Sequence, residues 1–150
     1  MEDRILAWIE EDRERIITFL QQFVRARSPN PPGDTVAAMQ HVRNLLDATG
    51  VSYDLYVRDE LMPNLVATAT FGPGERHLVL NGHIDVFPVV DEDQWSVPPW
   101  EGCIENGAIY GRGVADMKVG TTASIFAFLY FSRLAEHLNG RVTLTVVSDE

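Results

Sequence analysis

The segment that most limits how this chain can fold runs from Asp116 to Val147. Ile125, Phe126, Phe128, Leu129 and Phe131 leave almost no polar face on the helix that the spacing predicts between Asp116 and His137. A helix apolar nearly all round cannot lie on a surface; it must be covered on several sides. Asn139-Gly140 ends it, and Arg141 to Val147 follows as an apolar run of strand length. A buried helix feeding a buried strand predicts an α/β layered domain with a mostly parallel or mixed central sheet flanked by helices. Ligands of such sheets are expected beyond the carboxyl ends of the strands.

The rest of the chain fits that frame. Ile5, Trp8, Ile9, Ile16, Phe19, Leu20 and Phe23 recur at helical spacing, predicting one helix from Glu2 to Arg25. Ser28 to Gly33 is a rigid loop, because Pro29, Pro31 and Pro32 fix φ and remove donors. Asp34 is an N-cap for a helix through Val36, Met39, Val42, Leu45 and Leu46, which Gly50 terminates. Val51 to Val57 and Asn64 to Thr70 read as strands, with a turn at Phe71 to Gly74. His77 to Leu80 is short and apolar, as a central strand covered on both faces would be. Asp91 to Trp100 is an acidic irregular loop, and Cys103 to Gly111 a hairpin around Asn106-Gly107.

With 45% hydrophobic and 23% charged residues the chain can bury a core. Acidic residues outnumber basic ones 22 to 12, a formal charge of -10. That sign repels phosphate backbones and anionic lipid heads, so neither nucleic acid nor membrane is an expected partner. It suits a protein that gathers cations through carboxylates. Cys103 is the single cysteine, so no internal disulfide is available. The N-terminus lacks a signal-like apolar run, and Ala123 to Phe131 falls short of the roughly 20 residues of a membrane span. A cytoplasmic location is the expectation. The chain ends at Ser148-Asp149-Glu150, directly after an apolar strand, which reads as a cut piece of a longer protein.

Three short stretches can carry chemistry. In Gly82-His83-Ile84-Asp85 the His and Asp are two apart on an extended segment and project to the same side. The pair is either a metal-binding imidazole with the carboxylate that orients its ring, or a strand-end hydrogen bond. Gly111-Arg112-Gly113-Val114-Ala115-Asp116 imitates a dinucleotide fingerprint, but Asp116 stands where the third glycine belongs and would repel a pyrophosphate. Asp116 is then a plain helix cap, or it faces a cation. Asp149-Glu150 is either a solvated tip or a source of a general base at a strand's carboxyl end. His41, His77 and His137 read as surface or packing residues, and Trp95 and Trp100 as loop anchors. Cys103 lacks a clear base partner and reads as inert. No nucleophile elbow or phosphate-binding Walker loop is present.

In order and spacing these stretches resemble the M20 family of metallopeptidases and amidohydrolases, which includes acetylornithine deacetylase, succinyl-diaminopimelate desuccinylase, aminoacylase-1 and glutamate carboxypeptidases. The matching strings are Ser28-Pro29-Asn30-Pro31-Pro32-Gly33-Asp34, Asn81-Gly82-His83-Ile84-Asp85-Val86-Phe87-Pro88, and Trp95 with Pro98-Pro99-Trp100. Then come Ile109-Tyr110-Gly111-Arg112-Gly113-Val114-Ala115-Asp116-Met117-Lys118 and Ser148-Asp149-Glu150. Asp116 lies 33 residues after His83, and Glu150 lies 34 after Asp116, both in the family's register. The resemblance implies that His83 is a metal ligand, Asp85 its orienting partner, Asp116 a carboxylate bridging two metals and Glu150 the general base. It implies two zinc ions, with cobalt as an alternative metal, and a hydroxide held between them that attacks an amide carbonyl. It also implies a cis peptide between Asp116 and Met117. The substrate class it implies is an N-acyl amino acid or a small peptide.

Val119 departs from the family pattern, standing where a glycine usually follows the lysine. In the family's register the second metal-binding glutamate, a further acidic ligand, a late histidine and a lid domain that also makes dimers all lie beyond Glu150. Residues 1–150 are therefore expected to be the N-terminal portion of a zinc-hydrolase catalytic domain, holding metal weakly and inactive alone, from a parent that dimerises through the missing domain. The competing expectation is a non-catalytic binding or assembly domain that keeps the fold. A glutamate after Glu150 in the parent favours the enzyme.

Overall fold

The apolar spacing of the N-terminus forms two helices, α1 (Glu2–Glu11) and α2 (Arg13–Arg25), where the sequence predicts one. Asp12 is the joint. Backbone bonds still cross it, Asp12 N–H to Trp8 O at 2.9 Å and Ile16 N–H to Asp12 O at 2.8 Å. Its carboxylate, however, accepts from the Tyr130 hydroxyl and the Arg133 guanidinium, each at 3.2 Å, on a distant helix. Periodicity along one segment carries no trace of such a tertiary partner. The computed structural model describes residues 1–149, so Glu150 lies outside the described residues.

Helix α3 (Val36–Ala48) starts after Thr35, one residue later than the predicted cap. Asp34 still satisfies the first turn, accepting from Val36 N–H at 3.2 Å. Gly50 follows the helix end at φ +71°, the left-handed conformation that an L side chain resists. Strands β1 (Asp54–Tyr56), β2 (Asn64–Phe71) and β3 (His77–His83) come next. The hairpin β4 (Cys103–Glu105) and β5 (Ala108–Tyr110) turns through Asn106 and Gly107 at φ +52° and +78°, the paired positive values a tight two-residue loop requires. An irregular turn, Val114–Lys118, leads into α4 (Val119–Arg133), and β6 (Gly140–Val147) ends the described fold.

The four-stranded sheet has the order β1-β2-β6-β3, antiparallel except for the β3–β6 pair, which is parallel. The mixed sheet of the sequence reading is present. Leu65, Ala67 and Phe71 from β2 and Val142, Leu144 and Val146 from β6 point to one face. There they share a core with Phe23, Met39, Val42, Leu46, Ile125 and Phe128 from α2, α3 and α4. Each large apolar side chain removed from water this way contributes about 1.5–3 kcal/mol. On the opposite face hydroxyls and imidazole pair with one another: Thr68 with Thr143 and His77 with Thr143, both at 2.9 Å.

One expectation is corrected. His77 to Leu80 was expected to be central and covered on both faces, but β3 pairs only with β6 among the described strands, at the edge. Leu78 and Val79 are 45% and 52% exposed. The central position belongs to β6, which inserts between β2 and β3.

Candidate metal centre

The parallel pairing of β3 with β6 sets His83 opposite Val147, and Ile84 N–H continues the ladder to Val147 O at 2.9 Å. The two strands thus release their chains side by side at their carboxyl ends. Residues 28–30 line up with the extension of β3: Val86 N–H donates to Ser28 O and Asn30 N–H to Val86 O, each at 2.9 Å. Ser28, fully buried, adds a hydroxyl bond to Ile84 O at 2.6 Å. Three segments far apart in sequence therefore meet at one sheet end, the location the fold class predicts for a ligand site.

Asp116 arrives from the turn before α4. Gly113 holds φ +77° there, and a Cβ on it would lie 2.1 Å from Val86 Cγ1, so only glycine lets the turn close on the β3 extension. Gly82 performs the same service on the strand, where a Cβ would come within 2.4 Å of Thr121 Oγ1. Thr121 Oγ–H then donates to His83 O at 2.9 Å, fixing the first turn of α4 against the histidine's own backbone. Lys118, wholly buried, donates through Nζ to Phe23 O and Ala26 O at 2.8 Å and so ties the turn to the end of α2. Burial draws its pKa down from 10.5 to about 7.

The result is a short chain of contacts. His83, 6% exposed, has Nδ1 3.0 Å from Asp85 O and 3.3 Å from Asp85 Oδ1. Its Nε2 lies 3.2 Å from Asp116 Oδ1. With the Nδ1 proton directed at Asp85, Nε2 and Asp116 Oδ1 face each other as two electron-pair donors, an arrangement that a proton or a metal cation between them makes favourable. Two donors on one tetrahedral zinc stand about 3.3–3.5 Å apart, close to the observed spacing. Asp116 makes no side-chain cap to α4 and exposes most of its carboxylate, so it acts toward the histidine and not as a helix cap. Asp85 is 5% exposed; its Oδ2 accepts from Asn30 Nδ2 at 3.2 Å, and its Oδ1 is buried with no hydrogen bond.

The structure thus brings His83, Asp85 and Asp116 together as the sequence reading expects, and Asp116–Met117 is a cis peptide, as the resemblance implies. Glu150 lies outside the described residues; its neighbour Asp149 reaches the same cluster by accepting from Asn30 Nδ2 at 2.8 Å. Among the described residues no group of three His, Cys, Asp or Glu side chains could hold a metal ion. His83 and Asp116 fit a divalent cation by donor type and spacing, as one part of a ligand set. Asn30 is the site residue that the sequence analysis assigns no role. Nothing in a proline-rich loop signals that its amide reaches two carboxylates. His41 is a packing residue: it stacks on Phe19 at 4.3 Å and bonds Phe19 O at 2.9 Å, while His137 is exposed. Trp100 is buried and donates to Glu92, and Arg112 covers Trp95 at 5.1 Å, as loop anchors do.

Comparison with known proteins points the same way. Residues 79–150 match the sequence model of peptidase family M20/M25/M40. The chain is 37% identical over 128 residues to N-formyl-4-amino-5-aminomethyl-2-methylpyrimidine deformylase of Halalkalibacterium halodurans, an overlap of 83% of this chain and 30% of that protein. It superposes on an M20 family metallo-carboxypeptidase from Sulfolobus solfataricus with a TM-score of 0.74 and 25% identity, covering 90% of this chain and 31% of the other. Human carnosine dipeptidase 1 gives a TM-score of 0.78 at 20% identity, covering 99% and 34%. The chain spans about a third of the length of each of these relatives.

Proposed function

Residues 79–150 belong to the M20/M25/M40 peptidase family, and from that premise we propose that this chain is the N-terminal portion of the catalytic domain of a metal-dependent amide hydrolase. A deformylase, a carboxypeptidase and a dipeptidase share one bond change, the opening of an amide C–N bond by water. The substrate class proposed here is accordingly an N-acyl amino acid or a short peptide. The observation that carries the reading is the 3.2 Å approach of His83 Nε2 to Asp116 Oδ1 while Nδ1 is turned to Asp85. An imidazole held at Nδ1 by the Asp85 carbonyl at 3.0 Å, with the Asp85 carboxylate at 3.3 Å, and opposed at Nε2 by a second carboxylate is a donor set for a hard or borderline divalent cation.

His83 and Asp116 would hold metal, with Asp116 shared between two ions, zinc or cobalt. Bound divalent cations supply Lewis acidity, polarising the scissile carbonyl and acidifying water. Asp85 keeps the His83 proton on Nδ1, so that Nε2 presents its lone pair outward. Glu150, adjoining Asp149 in the chain, is proposed to take the proton of the attacking water and return it to the departing amine nitrogen. The remaining ligands and the substrate-closing domain would come from sequence beyond these 150 residues, consistent with the one-third coverage of the relatives.

The test is zinc titration by calorimetry, paired with hydrolysis of an N-formyl, N-acetyl and dipeptide panel by the full-length protein before and after chelation. Hydrolysis that chelation abolishes and zinc restores is the expected result. His83→Ala and Asp116→Asn are each expected to lower activity by at least 100-fold while leaving the far-ultraviolet spectrum unchanged. Tight zinc binding without hydrolysis of any panel member would favour a binding domain that keeps the fold. Full activity in the presence of chelator would overturn the reading.

A further inference from the structure

We propose that Asn30 is a positioning residue that ties the His83 side of the site to the segment after β6 that carries Asp149. The inference rests on the metal-hydrolase reading for its functional consequence, but its geometry stands on separate contacts. Asn30 Nδ2 carries two protons and spends them on two carboxylates, Asp85 Oδ2 at 3.2 Å and Asp149 Oδ1 at 2.8 Å. An amide nitrogen only donates, so this orientation of the amide is the one two acid groups demand; the flipped amide would set its oxygen against both. Asp85 follows β3 and Asp149 follows β6. One side chain therefore bridges the ends of two strands at the point where their ladder has stopped.

The bridge is built on a rigid base. Pro29 and Pro31 flank Asn30, its N–H is committed to Val86 O, and the buried Ser28 hydroxyl is committed to Ile84 O. Little backbone freedom remains to be lost when the amide engages. The contacts form a relay: His83 Nδ1 meets Asp85, Asp85 meets Asn30, and Asn30 meets Asp149, next in the chain to the proposed base Glu150. Because Asp85 Oδ1 has no hydrogen bond of its own, Asn30 supplies the amide bond that fixes the roll of that buried carboxylate. Without it the Asp85 carboxylate loses its one side-chain hydrogen bond beside the imidazole, whose Nδ1 remains held by Asp85 O at 3.0 Å, and the strand end tethered on the other side loses its register.

Asn30→Ala, Asn30→Ser and Asn30→Asp separate the possibilities. Alanine removes both donors, serine keeps one, and aspartate keeps the shape while replacing both donors with a third negative charge. In the full-length protein Asn30→Ala is expected to lower kcat and zinc affinity each by about 10–100-fold, the usual effect of removing a group that orients a metal ligand. KM should stay within twofold, since both Asn30 side-chain protons are taken up by Asp85 and Asp149. Asn30→Asp should be at least as damaging despite its shape, and Asn30→Ser intermediate. In the metal-free protein, 15N spectra of the His83 ring should report the Nδ1–H tautomer, and the two Asn30 side-chain amide protons should exchange slowly. Shifted His83 ring resonances in Asn30→Ala, with the Nδ1–H tautomer kept by Asp85 O and an unchanged melting temperature, are the result expected of a positioning residue.

The proposal is overturned if Asn30→Asp matches the unsubstituted protein in kcat and zinc affinity, or if the Asn30 amide protons exchange as fast as a solvent-exposed amide. If the unsubstituted protein neither binds zinc nor hydrolyses amides, the hydrolase reading fails. The metal-free spectra then judge the bridge alone. If both neutral variants misfold, the amide-proton exchange of the unsubstituted protein decides.

Discussion

Lys118 shows how a single residue can hold a site without entering it. Its ammonium is completely enclosed, and its two partners are carbonyls at the end of α2, which the helix itself leaves unsatisfied. Burial draws its pKa to about 7 in the folded chain, against 10.5 when unfolded. Between those values the unfolded chain binds more protons than the folded one, so stability rises with pH from about 7 toward 10 and the penalty is fully present below 7. Chemical denaturation at pH 7, 8 and 9 should show a gain of about 1.4 kcal/mol per pH unit from this one group. Lys118→Met should flatten that slope. A slope equal in both proteins would mean that the two carbonyls keep the ammonium charged. From sequence, Lys118 is one letter of a motif; its function as a clamp on α2 requires the chain to fold back across a separation of 95 positions to Phe23.

At the scale of elements, the site depends on how closely the turn 114–118 can approach the extension of β3. Gly113 and Gly107 test this as a pair, because both have φ near +78° but only Gly113 faces a neighbour, Val86 Cγ1. Gly107→Ala should cost only the left-handed backbone penalty, about 1–2 kcal/mol. Gly113→Ala should add an overpacking cost, for a total of about 2–4 kcal/mol in urea denaturation, and should move Asp116 away from His83. Equal losses at the two positions would show that the turn gives way freely. The hairpin around Asn106-Gly107 was legible from two residues because its turn demands positive φ twice in succession. The turn carrying Asp116 was not: Asp116 and Met117 leave helical values, with φ of -128° at each, inside a stretch that spacing assigns to one helix. The α1–α2 joint at Asp12 has a different origin, the Tyr130 and Arg133 partners of its carboxylate on α4, which spacing along α1 and α2 does not encode.

For the whole molecule, the late strand β6 organises everything else. It pairs with β2 on one side and β3 on the other, and it delivers Asp149 beside the residues that follow β3. Leu144 is fully buried in its middle, and Leu144→Ala should cost about 2–5 kcal/mol, read as a lower urea midpoint with an unchanged slope. A loss below 1 kcal/mol would mean that this centre is loosely packed. The sequence by itself determined the α/β class and most element types, and the M20 resemblance marked positions 83, 85 and 116, because apolar periodicity, turn residues and motif spacing are local properties of the chain. Only the tertiary structure decided the order of the described strands, the insertion of β6 between β2 and β3, the break at Asp12 and the contacts of Asn30. Those depend on contacts such as the 119-residue reach from Asn30 to Asp149, and no local pattern encodes which distant partner a side chain will meet.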